Sequence, residues 1–201
     1  MTAQLAPSAL PAASAEGGGL REYLRHKRAG LLARRAAARQ AGHPRAELSA
    51  SVSAEGRSGV RRIRIRQFQV LSDSPADFAG YDLGPSSPEL QLGVLGSCLT
   101  HIFLIKAAEL EVPLDALTVD VTGSVDPRGG LPDFPDVPVE IHDIAYTVTV
   151  SSPASAGTIE HLREEVERVC PVLNLLTRPQ TITGSVVNTA QPVVAHPAAT
   201  R

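Results

Sequence analysis

The stretch SPELQLGVLGSCLTHIFLIKAAE, residues 87–109, decides the fold class of this chain. Its opening Ser87-Pro88-Glu89 has the features of a helix start: a hydroxyl able to cap, a proline whose missing amide costs nothing in the first turn, and an acid favoured by the helix dipole. From Leu90 to Ile105 there is no charged residue. A helix that is apolar nearly all round has no face for water and belongs at the centre of a structure. Sixteen uncharged residues also fall short of the roughly 20 needed to cross a bilayer. The reading is therefore a buried central helix from Pro88 to about Glu109, and no membrane association is expected.

Strands flank this helix on both sides. Upstream, 47–55 (ELSASVSAE) and 60–70 (VRRIRIRQFQV) are strand-like, and the run Arg62-Ile63-Arg64-Ile65-Arg66 alternates with period two. The turn Gly56-Arg57-Ser58-Gly59 joins them as a hairpin with an arginine at its tip. Arg62, Arg64 and Arg66 read as a solvated sheet face. Downstream, 117–125 (LTVDVTGSV) and 140–150 (EIHDIAYTVTV) are strands, the second placing Ile144, Tyr146, Val148 and Val150 on one face. A second, amphipathic helix over 158–169 is interrupted at Pro171, which lacks an amide and clashes with the preceding turn. A short helix restarts there through Leu176, and TITGSVV, residues 181–187, reads as a last strand.

A chain of 201 residues with 43% apolar content can bury one substantial core. The net charge of −2 conceals an asymmetry, since residues 1–45 hold eight Lys/Arg against two acids and the remainder eleven against nineteen. Residues 1–19 and 191–201 are rich in Ala, Pro, Ser and Gly and are expected to be disordered tails. Residues 20–45 are expected to form a basic helical extension, kinked or divided at Gly30. It would pack on the acidic domain of residues 46–190 or meet an acidic partner. The N-terminal residues lack a basic segment followed by an apolar one, so no secretory signal is read and the cytoplasm is the expected compartment.

Two cysteines are too few for a disulfide scaffold. Cys98, inside the apolar helix, is either an inert buried hydrophobe or a cysteine with a reason to ionise. Cys170 precedes Pro171, so it is either a bystander at a proline kink or the N-cap of the restarted helix, where amides and dipole would lower its pKa. Cys98 and His101 share a helix face, but with no CxxC or HExxH spacing a zinc site is weakly supported. His101 and His142 read as structural. There is no Gly-rich phosphate loop and no GxSxG elbow.

The run from Ser86 through Cys98-Leu99-Thr100 resembles the first-cysteine motif of the OsmC/Ohr family, the osmotically inducible and organic hydroperoxide resistance proteins. Val169-Cys170-Pro171-Val172 resembles its second-cysteine motif, and Glu55-Gly56-Arg57-Ser58-Gly59 resembles its Gly-Gly-Arg-x-Gly turn. The three motifs stand in family order across residues 46–187. The resemblance implies an α/β (α+β) domain whose strongly curved antiparallel sheet wraps two central helices, built as an intertwined homodimer.

It further implies a thiol-dependent peroxidase for organic hydroperoxides. Cys98 would become a sulfenic acid and Cys170 would condense with it to a disulfide. A dithiol or lipoylated protein would reduce that disulfide, with no bound cofactor or metal. Arg57, which the family can supply from the partner subunit, would hold the Cys98 thiolate ionised, with Glu89 as its pairing acid. On a straight helix Glu89 is roughly 13 Å from Cys98 and on the opposite face, so that role needs a break in the helix or a bridging Arg57. The chain departs from the best-known family peroxidases at Leu99, where Phe is common, and at Val172-Leu173-Asn174, where a Ser often follows. A non-enzymatic small-ligand or partner-binding protein and a thiol redox sensor are the alternative readings.

Overall fold

Ser86, one residue earlier than expected, caps the central helix. In this computed structural model, which describes residues 19–40 and 45–189, the Ser86 hydroxyl accepts from the Glu89 amide at 3.4 Å. The Glu89 carboxylate in turn accepts from the Ser86 amide at 2.7 Å. This reciprocal box needs Ser and Glu three apart, a spacing that Ser86 has and Ser87 lacks. The expected tails, residue 19 apart, lie outside the described residues.

The elements run α1 (Leu20–Gln40), β1 (Ser51–Ala54), β2 (Arg61–Ile65), β3 (Phe68–Ser72), α2 (Ser87–Leu110), β4 (Ala116–Ser124), β5 (His142–Ser151), α3 (Ala156–Val169) and α4 (Pro171–Thr177). The class is α+β. α2 is the hub, packed by α1, β4, α3 and α4. Its Leu95, Leu99 and Phe103 are fully buried, with Leu114, Leu162 and Val166 against them, each such side chain contributing about 1.5–3 kcal/mol. Gly96 lets β4 approach: a Cβ there would stand 3.1 Å from the Val121 methyl. By length and composition α2 could cross a membrane; here one side of it packs into the fold and the other stays exposed, so it is not buried all round as its composition led one to expect. Its buried Lys106 bonds Glu109 at 3.0 Å and Glu165 of α3 at 2.9 Å.

The expected strand over 60–70 is broken in two. Ile65 pairs with Phe68 and Ile63 with Val70, so Arg66-Gln67 is a two-residue turn, with Arg66 at φ 54° and its guanidinium 5.1 Å from the Phe68 ring centroid. Period-two alternation continues through such a turn, which hides it from the pattern. β1, β2 and β3 form one antiparallel sheet, and β4 and β5 a second. Arg62 and Arg64 converge on Glu55 at 3.0 and 3.7 Å, so these two are paired across the hairpin and not merely solvated. In the second sheet Val119 pairs with Val148 and Val121 with Tyr146, turning one apolar face onto the core. Ile144 stays exposed.

Two further expectations are corrected. α1 is one helix continuous through Gly30, so the glycine's lower helix propensity does not divide it. Residues 181–187 are exposed and belong to no strand, since no strand of the described chain offers them a ladder. The loop between β3 and α2 closes on buried Asp73, whose carboxylate accepts from the amides of Ser74, Tyr81 and Leu83 at 2.8, 2.9 and 3.3 Å.

Candidate active site

Cys170 is at once the last cap of α3 and the first of α4, with Pro171 opening α4. Its own amide closes α3 by donating to the Val166 carbonyl at 2.8 Å, and its carbonyl accepts from the Asn174 amide at 3.0 Å. The Asn174 side-chain amide spans the joint, donating to the carbonyls of Glu167 at 3.0 Å and Cys170 at 2.8 Å. Nearby, the Tyr146 hydroxyl and Arg163 both bond the Glu167 carboxylate, and burial with Glu167 pushes the phenol up to about 12. Sequence reasoning missed Asn174. The available signal was its position four after Cys170, one helical turn on.

The Cys170 sulfur is completely buried and lies 3.5 Å from the Cys98 sulfur, toward which its thiol is directed. Cys98 itself is half-buried on α2. The expected lowering of the Cys170 pKa is not found. Burial pushes the thiol up, the neighbouring Cys98 sulfur adds to this, and the amides of Leu173 and Val172 oppose it without reversing it. A cap position lowers a thiol pKa only when solvent or a cation shares the cost of the charge, and here the site is closed on the Cys170 side.

The other side is open. A groove along the exposed face of α2 is lined by Glu89, Leu90, Val94, Ser97, Cys98 and His101, among others. Nine residues turn a helix through about two and a half turns, so Glu89 and Cys98 leave the unbroken α2 on opposite sides of its axis, and both nonetheless border this open groove. Glu89 is engaged with Ser86, whose hydroxyl and amide hold its carboxyl below the usual range. Arg57 is exposed in the Glu55–Gly59 turn, where Gly56 takes φ 56°. It has no hydrogen-bond or ion-pair partner among the described residues. The single chain thus brings Cys98 to Cys170 and places Glu89 on the same groove, and does not pair Arg57 with Glu89. Among the described residues no cluster of three or more His, Cys, Asp or Glu could hold a metal.

Comparison with known proteins places this geometry in context. A family model described as OsmC-like protein matches residues 80–185. Among solved structures the chain is similar to an OsmC-like protein from Mycoplasma pneumoniae, with a TM-score of 0.57 and 20% identity over 67% of this chain and 89% of that one. It is also similar to an OsmC-like protein of unknown function from Vibrio cholerae, with a TM-score of 0.51 and 14% identity over 65% and 94% of the respective chains. At these identities the likeness is one of fold. No curated protein matches the chain.

Proposed function

Because the chain belongs to the OsmC-like protein family, we propose that it is a thiol-dependent peroxidase for organic hydroperoxides in which Cys98 attacks and Cys170 resolves. The observation that carries this reading is the 3.5 Å separation of the two sulfurs, one facing an open groove and the other closed off beneath it. The Cys98 thiolate attacks the distal peroxide oxygen, the O–O bond breaks, and the alkoxide leaves and is protonated to an alcohol, giving a Cys98 sulfenic acid. Cys170 then attacks the Cys98 sulfur. The S–S bond forms, and the hydroxyl of the sulfenic acid departs as water with the Cys170 proton. An external dithiol, free or as a lipoyl group on a protein, restores both thiols by two exchanges, so no bound cofactor or metal enters.

Cys98 is half-buried in an apolar helix, where a nearby cation would stabilise the attacking thiolate. Arg57 of a second subunit is proposed to supply it, with Glu89 positioning that arginine as it enters the groove. Two features favour a homodimer with shared sites: Arg57 is unpaired, and Val52, Ile65, Phe68 and Val70 of the three-stranded sheet are exposed in the single chain. A dithiol-driven cycle suits a reducing compartment, and the cytoplasm is proposed.

The test is steady-state reduction of an aryl or lipid hydroperoxide, against hydrogen peroxide, with dihydrolipoamide as donor. Cys98→Ser is expected to abolish consumption. Cys170→Ser is expected to complete one turnover and leave a sulfenic acid that a dimedone reagent traps. Full turnover by both variants would rule the reading out.

A further inference from the structure

Arg21, Leu24, Arg25 and Arg28 follow the i, i+3, i+4, i+7 spacing that puts four side chains on one face of a helix. This face of α1 meets the last turn of α2 and the residues just beyond it. Between the two walls lies a partly open cavity of about 530 Å³, lined by those four residues and, opposite them, by Ala108, Glu111 and Val112 among others. Leu24, Ala108 and Val112 are buried and give the cavity an apolar floor. Ala108 is ten positions beyond Cys98, about 15 Å along α2, and the cavity shares no lining residue with the Cys98 groove. α1 lies outside residues 80–185, the part that matches the family model, so one wall belongs to the matched domain and the other to the extension.

The charges at the mouth do not cancel. Arg21 is held by the Asp115 carboxylate through two hydrogen bonds, at 2.5 and 2.9 Å. Arg28 pairs with Glu111 at 2.5 Å, and its Nε is left buried without an acceptor among the described residues. Arg25, between them on the same face, is exposed and has no hydrogen-bond or ion-pair partner among the described residues. Three guanidiniums against two carboxylates leave one positive charge over. The Ala107 carbonyl, at the negative end of α2, is already committed to the amides of Glu111 and Val112.

We propose that this cavity binds a linear aliphatic carboxylate, with its headgroup on Arg25 and its alkyl chain over Leu24, Ala108 and Val112. A single uncommitted guanidinium matches a monoanion, and its planar fork matches the two oxygens of a carboxylate. The floor supplies apolar contact for a chain, and the volume lies within the range of small-ligand sites. The bound ligand braces α1 against α2. The site stands independently of the peroxidase reading.

The test is calorimetric titration of the reduced full-length protein with octanoate, which is expected to fill one saturable site per chain. Acetate, a head without a tail, and 1-octanol, a tail without a charge, should each bind at least on the order of tenfold more weakly. From butanoate to octanoate the affinity should climb by up to about fourfold per added methylene. Arg25→Gln should weaken octanoate on the order of tenfold. Arg25→Lys should recover part of that loss, because the charge is kept and the fork is not. Arg39→Gln, a charge change in the last turn of the same helix, should leave binding intact. Arg25 has no polar partner to lose, so these variants keep the fold.

A second measurement locates the ligand. Octanoate should slow amide hydrogen exchange in α1 and in residues 107–113, and should leave unchanged the rate at which iodoacetamide alkylates Cys98 in the Cys170→Ser protein. The proposal is overturned by an absence of saturable binding, by binding that Arg25→Gln leaves unmoved or that Arg39→Gln weakens equally, or by protection of Cys98 in place of α1. Acetate binding as tightly as octanoate also overturns it, since the site is then a surface ion contact with no place for a chain. None of these outcomes depends on turnover, so the peroxidase reading stands or falls separately.

Discussion

The Cys170 sulfur stands 3.5 Å from the Cys98 sulfur across 72 residues of sequence, and it is the more deeply buried of the two. Burial and its neighbour raise the Cys170 pKa, so at neutral pH it is a thiol, whereas thiolate is the attacking species. Resolution of the Cys98 sulfenic acid is therefore expected to accelerate as pH rises through and beyond the ordinary thiol value of about 8.5. Single-turnover kinetics read by tryptic mapping of the disulfide would check this. A rate that has already levelled off below pH 8 would contradict it.

Asn174 holds the α3–α4 joint through two side-chain hydrogen bonds. Replacing it with alanine removes the Glu167 carbonyl's donor, leaves the Cys170 carbonyl only the backbone amide of residue 174, and is expected to cost about 1–3 kcal/mol, measured by urea unfolding. Because the joint positions Cys170 and not Cys98, sulfenic acid formation in Asn174→Ala should proceed at the wild-type rate while its conversion to disulfide slows. Equal slowing of both steps would point to a general loss of structure.

Asp73 closes the loop ahead of α2. Burial pushes its carboxyl up, but the amides of Ser74, Tyr81 and Leu83, with Arg61, outweigh that and leave it lowered. A lowered carboxyl stabilises the fold above its unfolded value of about 3.9 and loses that contribution as pH falls through the folded value. The loop should thus stay shut at neutral pH in the native protein. Asp73→Ala should make residues 74–85 a site of rapid limited proteolysis at pH 7, with α2 otherwise intact by circular dichroism.

Gly96 faces β4, where an added Cβ would stand 3.1 Å from the Val121 methyl and 3.7 Å from the Val119 carbonyl oxygen. Gly96→Val overfills this contact and is expected to destabilise by about 1–3 kcal/mol. Combining it with Val121→Ala should recover part of the loss, which a denaturation cycle of the four proteins would measure.

The central helix was legible because an uncharged run with a proline two residues before it has few other solutions, and the Cys170 joint because Pro171 cannot continue α3. The Arg66-Gln67 turn was not legible: RIRIRQFQV contains neither Gly, Asn nor Pro at the reversal, and Arg66 takes its positive φ supported by Phe68. Nor could the pattern show that 181–187 lacks a strand partner, since pairing is a property of neighbours. The site divided in the same way. The two cysteines and Glu89 could be picked out by type and spacing. The direction of the Cys170 shift could not, because it depends on how much of the sulfur the folded chain covers. The docking of α1 on the acidic domain was legible from its charge, but which of its arginines bind there was not, because its basic residues look alike in sequence and only the fold singles out Arg21, Arg28 and Arg35.

With Cys170 serving as cap to both α3 and α4, no compliant linker separates the two helices. In mechanical terms they form a single bent lever with the sulfur at its fulcrum. A displacement of that sulfur would act on the residue that both arms share, and α3 also carries the Glu165 contact with Lys106 on α2.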